Sequence, residues 1–267
     1  MNKIIYLPNI FKPYNVGNLI RLGGKKDGGY LLSEKSLSKT NFLVSLGIAY
    51  NWDFEIDFLD KKKNKNLSIL TFDNSISREI VKKFSKKSFF LFFIKPSFKK
   101  IQHIYKFFSF TNTFDGKKAI HISKNVTTAN TEKTINLENI FSLIKEKNQN
   151  IILKIDIEGG EYYLLKDIFR YSERINVLII EFHLILKNEE KLFDFIKKIS
   201  NEFYITHIHV NNVSLSNDNN SADIIEFTFE KKLLFDRKLI PSNENYPIKG
   251  LDYPSSKKVA DCKLIFK

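Results

Sequence analysis

The stretch Asn150–Leu165, NIILKIDIEGGEYYLL, decides how the rest of the chain is read. It opens as a continuous aliphatic run, Ile151–Asp156, which is the pattern of a strand covered on both faces. It then delivers Asp156 and Glu158, a double glycine at Gly159-Gly160, and Glu161. From there it returns to apolar residues at helical spacing, so Glu161–Phe169 is expected to be a helix. The two glycines suit a tight turn, and Glu161 in a first helical turn suits the helix dipole. Asp156 needs another explanation. A carboxylate at the inner end of a core strand is costly to desolvate unless it has a partner or a task.

Working outward, further strands are expected at Asn41–Ile48, Leu67–Asp73, Phe89–Ile94, Ile175–Phe182, Phe203–Val210 and Asp223–Phe229. Helices are expected at Trp52–Asp60, Ser77–Phe84, Asn136–Lys147 and Glu189–Ser200. Ser75 or Ser77 would cap the second of these. Lys95–Asn130 is basic, aromatic and without a clear period. Strands alternating with helices imply right-handed crossovers and a mostly parallel sheet. The last two strands, joined through Asn211–Ser221 without a helix, imply an antiparallel edge. With no repeat and no long linker, residues 1–267 read as a single domain. Its core spans about residues 20–230, and a C-terminal extension, residues 231–267, has turns at Pro241, Pro247 and Pro254.

The chain has 267 residues and a formal net charge of +13. Lysines are spread along it and greatly outnumber arginines. This argues against a nucleic-acid partner, because base and phosphate readout favours arginine forks. The charge is compatible with an anionic small-molecule substrate. Cys262 is the single cysteine, which excludes a disulfide framework and a cysteine-rich zinc site. The N-terminal segment lacks the features of a signal peptide. No apolar run approaches the roughly 20 residues of a membrane span, so a cytoplasmic protein is expected.

In an open α/β sheet, ligands sit outside the carboxyl ends of the strands. The residues expected there are Ser45-Leu46-Gly47-Ile48-Ala49-Tyr50, Asp73, Asp156 with Glu158 and Gly159-Gly160, Glu181 with His183, and His207, His209, Asn211 and Asn212. Upstream, Asp27-Gly28-Gly29-Tyr30 reads as a tight turn before an extended segment. Asp73 reads equally well as a helix cap, and Asn211-Asn212 as a turn.

These pieces resemble the FkbM-type methyltransferases. LKIDIEGGE is similar to that family's signature. DGGY, VSLGIAYNWDFE, FD, IIEFH, HIHVNN and IIEFTF accompany it in family order over roughly residues 20 to 230. The resemblance implies a Rossmann-like class I methyltransferase fold: a mostly parallel seven-stranded sheet with an antiparallel edge strand and helices on both faces. It also implies S-adenosylmethionine as cofactor. Backbone at Ser45–Tyr50, with Gly47 and Ile48, would approach the methionine part, and Asp73 would accept hydrogen bonds from the ribose. Asp27, Gly28, Gly29 and Tyr30 would close over the cofactor, and Asp156 and Glu158 would lie between cofactor and acceptor. The first loop departs from the wider class in having a single glycine, Gly47.

A hydroxyl acceptor must lose a proton. His183 or His209 would be the base, or Asp156, His183 and His209 would hold a divalent metal. Glu181, Asn211 and Asn212 are expected on the substrate side. The expected activity is O-methylation of a small polar or anionic metabolite or of a surface-polysaccharide (capsule) sugar. Two other readings are weighed against it. One is a metal-dependent nucleotide-sugar glycosyltransferase, with DIE as its acidic pair, which leaves Asp73 and DGGY unexplained. The other is a non-catalytic nucleic-acid binder, which leaves the cluster of histidines and carboxylates unexplained.

Overall fold

The computed structural model describes residues 3–63, 68–94, 97–144, 150–215 and 221–267. Parts of four expected features lie outside these residues: Leu67, residues 95–96, residues 145–147 and residues 216–220. The strands are β1 (Ile4–Leu7), β2 (Leu19–Leu22), β3 (Tyr30–Ser33), β4 (Phe42–Leu46), β5 (Ile69–Phe72), β6 (Ala119–Ile122), β7 (Asn125–Val126), β8 (Thr134–Ile135), β9 (Ile151–Ile155), β10 (Ile175–Phe182), β11 (Phe203–Val210), β12 (Ile225–Lys231) and β13 (Lys263–Phe266). The helices are α1 (Glu34–Ser38), α2 (Asp53–Lys62), α3 (Arg78–Ile94), α4 (Phe98–Thr113), α5 (Leu137–Ser142), α6 (Glu161–Arg170) and α7 (Ile185–Ile199).

Seven strands form the central sheet in the order β11-β12-β10-β9-β4-β5-β6. All neighbours pair parallel except β12, which runs antiparallel to both β10 and β11. The antiparallel strand therefore lies one place in from the edge, not at it. The α7 crossover carries the chain one position beyond β10, and the β11–β12 connection turns back to fill the gap.

The strands are buried on both faces, as their continuous apolar runs require. Alternate residues go to opposite sides. Val44, Leu46, Leu153 and Ile155 pack with Leu137 and Ile140 of α5, Leu164 and Ile168 of α6, and Phe195 and Ile196 of α7. Leu43, Ile69, Ile152, Val177 and Ile179 pack with Phe54 and Phe58 of α2 and with Leu22, Tyr30 and Leu32. The β2–β3 hairpin contains the DGGY turn, with Gly23 and Gly28 at φ of 88° and 79°.

Two expectations are overturned. Phe89–Ile94 is the last part of α3, not a strand, and the third strand of the parallel run is β6, inside the segment without a clear period. A six-residue apolar run fits either structure. Here the helical spacing that begins at Ile80 and Val81 continues through it, and both Phe90 and Ile94 are exposed, as no central strand residue would be.

The C-terminal extension is also no appendage. Its last strand β13 pairs in parallel with β1. The His207 imidazole lies 3.0 Å from Asp252 Oδ1, and Asp252 Oδ2 accepts the Ile248 amide at 2.6 Å. Burial would raise the Asp252 pKa. His207 beside it outweighs that and holds it below the ordinary value. Among the described residues no helix is long and apolar enough to cross a membrane.

A loosely attached tail would tolerate change within about 0.5 kcal/mol. Asp252→Ala instead leaves a buried imidazole and an amide without their acceptor. It is expected to lower the unfolding free energy by about 2–4 kcal/mol in urea titration.

Candidate functional site

The carboxyl ends of β4, β5 and β9, with the DGGY turn, surround a cleft of about 450 Å³. Asp27, Gly28, Gly47, Ile48, Asp73, Asp156 and Glu158 line it. Asn74, Ser75, Lys124, Asn125, Val126, Lys154 and Ile157 also line it and were not foreseen. The Lys124–Val126 wall follows β6, the strand that the apolar run at Phe89–Ile94 concealed. The Lys154 ammonium, on a core strand, donates to the Gly47 carbonyl at 2.9 Å and lies over the Tyr30 ring.

The loops leaving the strands are under local strain. Ala49 after β4, Glu158 after β9 and Leu184 after β10 all adopt positive φ, between 42° and 55°. Such conformations cost side-chain-bearing residues of order 1 kcal/mol each and gather at functional sites. Gly47, at φ 81°, cannot be anything larger: a Cβ there would fall 1.7 Å from the Asp156 carbonyl oxygen.

Asp73 sits at the end of β5. Its Oδ2 accepts the amides of Ile48 and Ala49 at 2.9 and 2.7 Å, and its Oδ1 accepts the amide and hydroxyl of Ser75. Burial would raise its pKa, but these four donors hold it below the ordinary value.

Glu161 is wholly buried, and its Oε1 organises the DIEGG turn. It accepts the amides of Ile157 and Gly159 and lies 3.1 Å from His183 Nδ1. That contact aims His183 Nε2 at Glu158 Oε2 (3.4 Å) and Asp156 Oδ1 (3.9 Å). Burial disfavours the imidazolium, but the Glu161 bond and the surrounding carboxylates win and raise the His183 pKa to about 9. Burial raises Asp156 to about 6, against the pull of Lys154 and His183.

The Tyr30 hydroxyl lies 3.2 Å from both Asp156 Oδ2 and Glu181 Oε2. One hydroxyl has one proton, so one carboxyl must return one. Glu181 fits, because burial and then Asp156 push its pKa well above the ordinary range. The Asn211 amide donates to the other Glu181 oxygen at 3.2 Å.

Other expected residues are placed elsewhere. Ser45 is buried and donates to Glu55 at 2.6 Å. Gly29 and Tyr30 lie behind the cleft lining. Asn211 is likewise buried behind it, holding Glu181. Asn212 gives its amide group to the carbonyls of Ser256 and Val259 and receives the Ser256 amide. His209 is buried between Glu226 (3.5 Å) and Asp261 (3.1 Å), away from the cleft lining. The trio Asp156, His183 and His209 is therefore not brought together. Among the described residues two such clusters form, Asp156 with Glu158 and His183, and Asp27 with Glu181 and Glu226, each with ligand atoms within 4.8 Å of one another. Asp252 and Asp261 carried no motif that could have linked them to the histidines.

A family model, the methyltransferase FkbM domain, matches residues 41–218. The chain belongs to the FkbM methyltransferase family. It is thus a methyltransferase, with the mostly parallel Rossmann-like sheet of the class I enzymes, and S-adenosylmethionine is the methyl donor of that family. No curated protein sequence matches the chain. The solved structures it resembles are distant. The fibrillarin pre-rRNA processing protein of Methanococcus jannaschii is 10% identical, with 73% of this chain and 68% of that one covered and a TM-score of 0.37. TrmK of M. capricolum, in complex with S-adenosyl-homocysteine, is 14% identical, with 75% and 69% covered and a TM-score of 0.34. A precorrin-6y C5,15-methyltransferase from Geobacter metallireducens GS-15 is 9% identical, with 74% and 86% covered and a TM-score of 0.34. At these values the three likenesses do not bear on activity.

The environment of His209 gives this FkbM-family protein a pH dependence of stability. Burial opposes its charge, but Glu226, Asp261 and Asp252 raise its pKa well above 6.5. A raised histidine pKa stabilises fully below the unfolded value and loses that contribution as pH rises through the folded one. The wild type is expected to lose unfolding free energy above pH 6.5 more steeply than His209→Gln, measured by urea titration across that range.

Proposed function

We propose that the cleft binds S-adenosylmethionine and that the chain methylates a hydroxyl of a small polar acceptor, such as a sugar of a surface polysaccharide. The observation that carries this reading is the charge of the cleft. Asp27, Asp73, Asp156 and Glu158 line it, against Lys124 and Lys154, and Lys154 is occupied by the Gly47 carbonyl. A sulfonium cation suits that surface. A nucleotide diphosphate, the ligand of the glycosyltransferase alternative, would meet carboxylates where it needs cations. The overall charge of +13 is not expressed here, so it lends no support to an anionic acceptor.

The donor set also fits the cofactor. Phe72, Val126 and Ile157 offer apolar surface for a base. Asp73 offers a charged acceptor for the ribose hydroxyls. Its four acceptor positions are filled, so a ribose would replace the Ser75 hydroxyl, the donor that can rotate away. When bound, the cofactor supplies an electrophilic methyl carbon on sulfur.

The chain's residues must then align the acceptor oxygen in line with that carbon and take its proton. With a pKa near 9, His183 already carries a proton at neutral pH, and His209, its pKa raised by Glu226 and Asp261, is enclosed away from the cleft. Asp156, near 6 and facing the cleft, is the better acceptor of the proton. Before the transfer His183, oriented by Glu161, favours the ionised form of Asp156 that accepts the proton.

A second reading of the same cluster is a divalent cation held by Asp156, Glu158 and His183. The fixed Glu161–His183 contact is the arrangement by which carboxylates orient metal-binding imidazoles. Such an ion would lower the pKa of the acceptor hydroxyl.

Calorimetric titration with S-adenosylhomocysteine tests the cofactor assignment, with binding in the micromolar range expected. Asp73→Ala, which removes a charged acceptor, should weaken that binding by about 10–100-fold. Binding of a nucleotide sugar in its place would overturn the reading. Loss of S-adenosylhomocysteine binding in EDTA would favour the cation.

A further inference from the structure

The hairpin of α3 and α4 carries a surface that the methyltransferase fold does not use. Its inner side is well occupied. Val81, Ser85, Ser88 and Phe110 are buried, Ser88 Oγ lies 2.8 Å from His103 Nδ1, and Trp52 Nε1 donates to Ser109 at 3.0 Å. Its outer side is apolar and exposed. On α4, Phe98, Ile101, Tyr105 and Phe108 follow i, i+3, i+7 and i+10, which is one helical face. All four are exposed, Phe98 at 75% and Tyr105 at 66%. On α3, Lys83, Lys87, Phe90 and Ile94 follow i, i+4, i+7 and i+11, with Phe90 at 71% and Ile94 at 80% exposed. Large apolar side chains repeated along an exposed helical face mark an interaction site.

The charge around it identifies the partner. Between Glu79 and Asp115 the sequence has no acidic residue and no arginine, while lysines recur throughout. Lys82, Lys83, Lys86, Lys87 and Lys99 are exposed. A second copy docked through this face would set lysines against lysines. A nucleic acid would be read by arginine forks and stacked rings, not by a face that includes Ile94 and Ile101. Apolar side chains beside a lysine-rich stem match the boundary between acyl chains and anionic headgroups.

We propose that the α3–α4 hairpin seats the enzyme on an anionic lipid surface. The apolar residues around the α3–α4 junction enter the headgroup layer, and the lysines of α3 meet the lipid charge. The hairpin also touches the residues that follow the cleft loop, because Lys106 pairs with Asp53 at 3.3 Å and lies over Trp52. Docking would therefore hold the mouth of the cleft at a fixed relation to the membrane.

Vesicle flotation with the full chain tests this without reference to the cofactor. Vesicles of phosphatidylcholine with about one-third phosphatidylglycerol supply the anionic surface. The wild type is expected to float with these vesicles, to be released by salt, and to stay in solution with phosphatidylcholine alone. Phe90→Ser with Ile94→Ser, and separately Lys83→Glu with Lys87→Glu, should each weaken binding by roughly tenfold or more. The thermal midpoint of each double variant should match the wild type, since the four side chains point to solvent. Four results would each overturn the proposal: no flotation of the wild type, equal binding to neutral vesicles, variants that bind as well as the wild type, or a dimer in sedimentation that Phe90→Ser with Ile94→Ser dissociates. Binding to a single-stranded RNA without binding to vesicles would do so as well.

Discussion

Among the described glycines, the one with least room for a side chain is Gly47, where the ends of β4 and β9 meet. Gly47 lies so near the Asp156 carbonyl that no other residue fits, and the two loops are fastened around that contact. The Asp156 amide donates to the Leu46 carbonyl, and the Gly47 amide donates to the Phe72 carbonyl. Lys154 reaches across to the Gly47 carbonyl. With its backbone fixed in this way, Asp156 has little freedom in where its carboxylate goes. The cleft, its acidic lining and the strained turns beside it all follow from this one approach.

The second organising feature is the treatment of buried charge. An isolated buried carboxylate would lose its charge or unfold its surroundings. Four of those here meet different solutions. Glu161 is fed by turn amides and an imidazole. Glu226 faces His209 and pairs in register with Glu181 across β10 and β12. Glu230 accepts the amide and hydroxyl of Ser33 and the hydroxyls of Ser36 and Thr206, which ties the start of α1 to the sheet. Glu181, its pKa pushed up by burial and Asp156, lies against the Tyr30 hydroxyl and the Asn211 amide. The network links the DGGY hairpin, the sheet and the C-terminal segment into one electrostatic unit.

The sequence was most legible where a residue type had a single physical use. The buried strands, the DIEGG turn and Asp73 at a strand end could be read from their apolar runs and breakers. The fold followed from the alternation of elements. Phe89–Ile94 was misread because a short apolar run looks the same in a strand and a helix, and exposure is invisible in sequence. The roles of Glu161, Asp252 and Asp261 were hidden for another reason. A carboxylate's partner lies far away along the chain, and no local spacing records it. His183 and His209 were visible as histidines, but their charge depends on neighbours that only the fold supplies.

The pairing of β1 with β13 has a consequence for how the protein is made. The Lys267 amide donates to the Leu7 carbonyl, and the Asn9 amide donates to the Lys267 carbonyl, so the segments around β1 and β13 close on each other. During synthesis β1 leaves the ribosome before any of the central sheet and must wait, unpaired, for the last strand. An open strand edge is a template for pairing with other chains. The seam is the contact between segments most distant in sequence, so it closes late, after the sheet it borders. Chains lacking β13 would expose Ile5 and Leu7 along that edge.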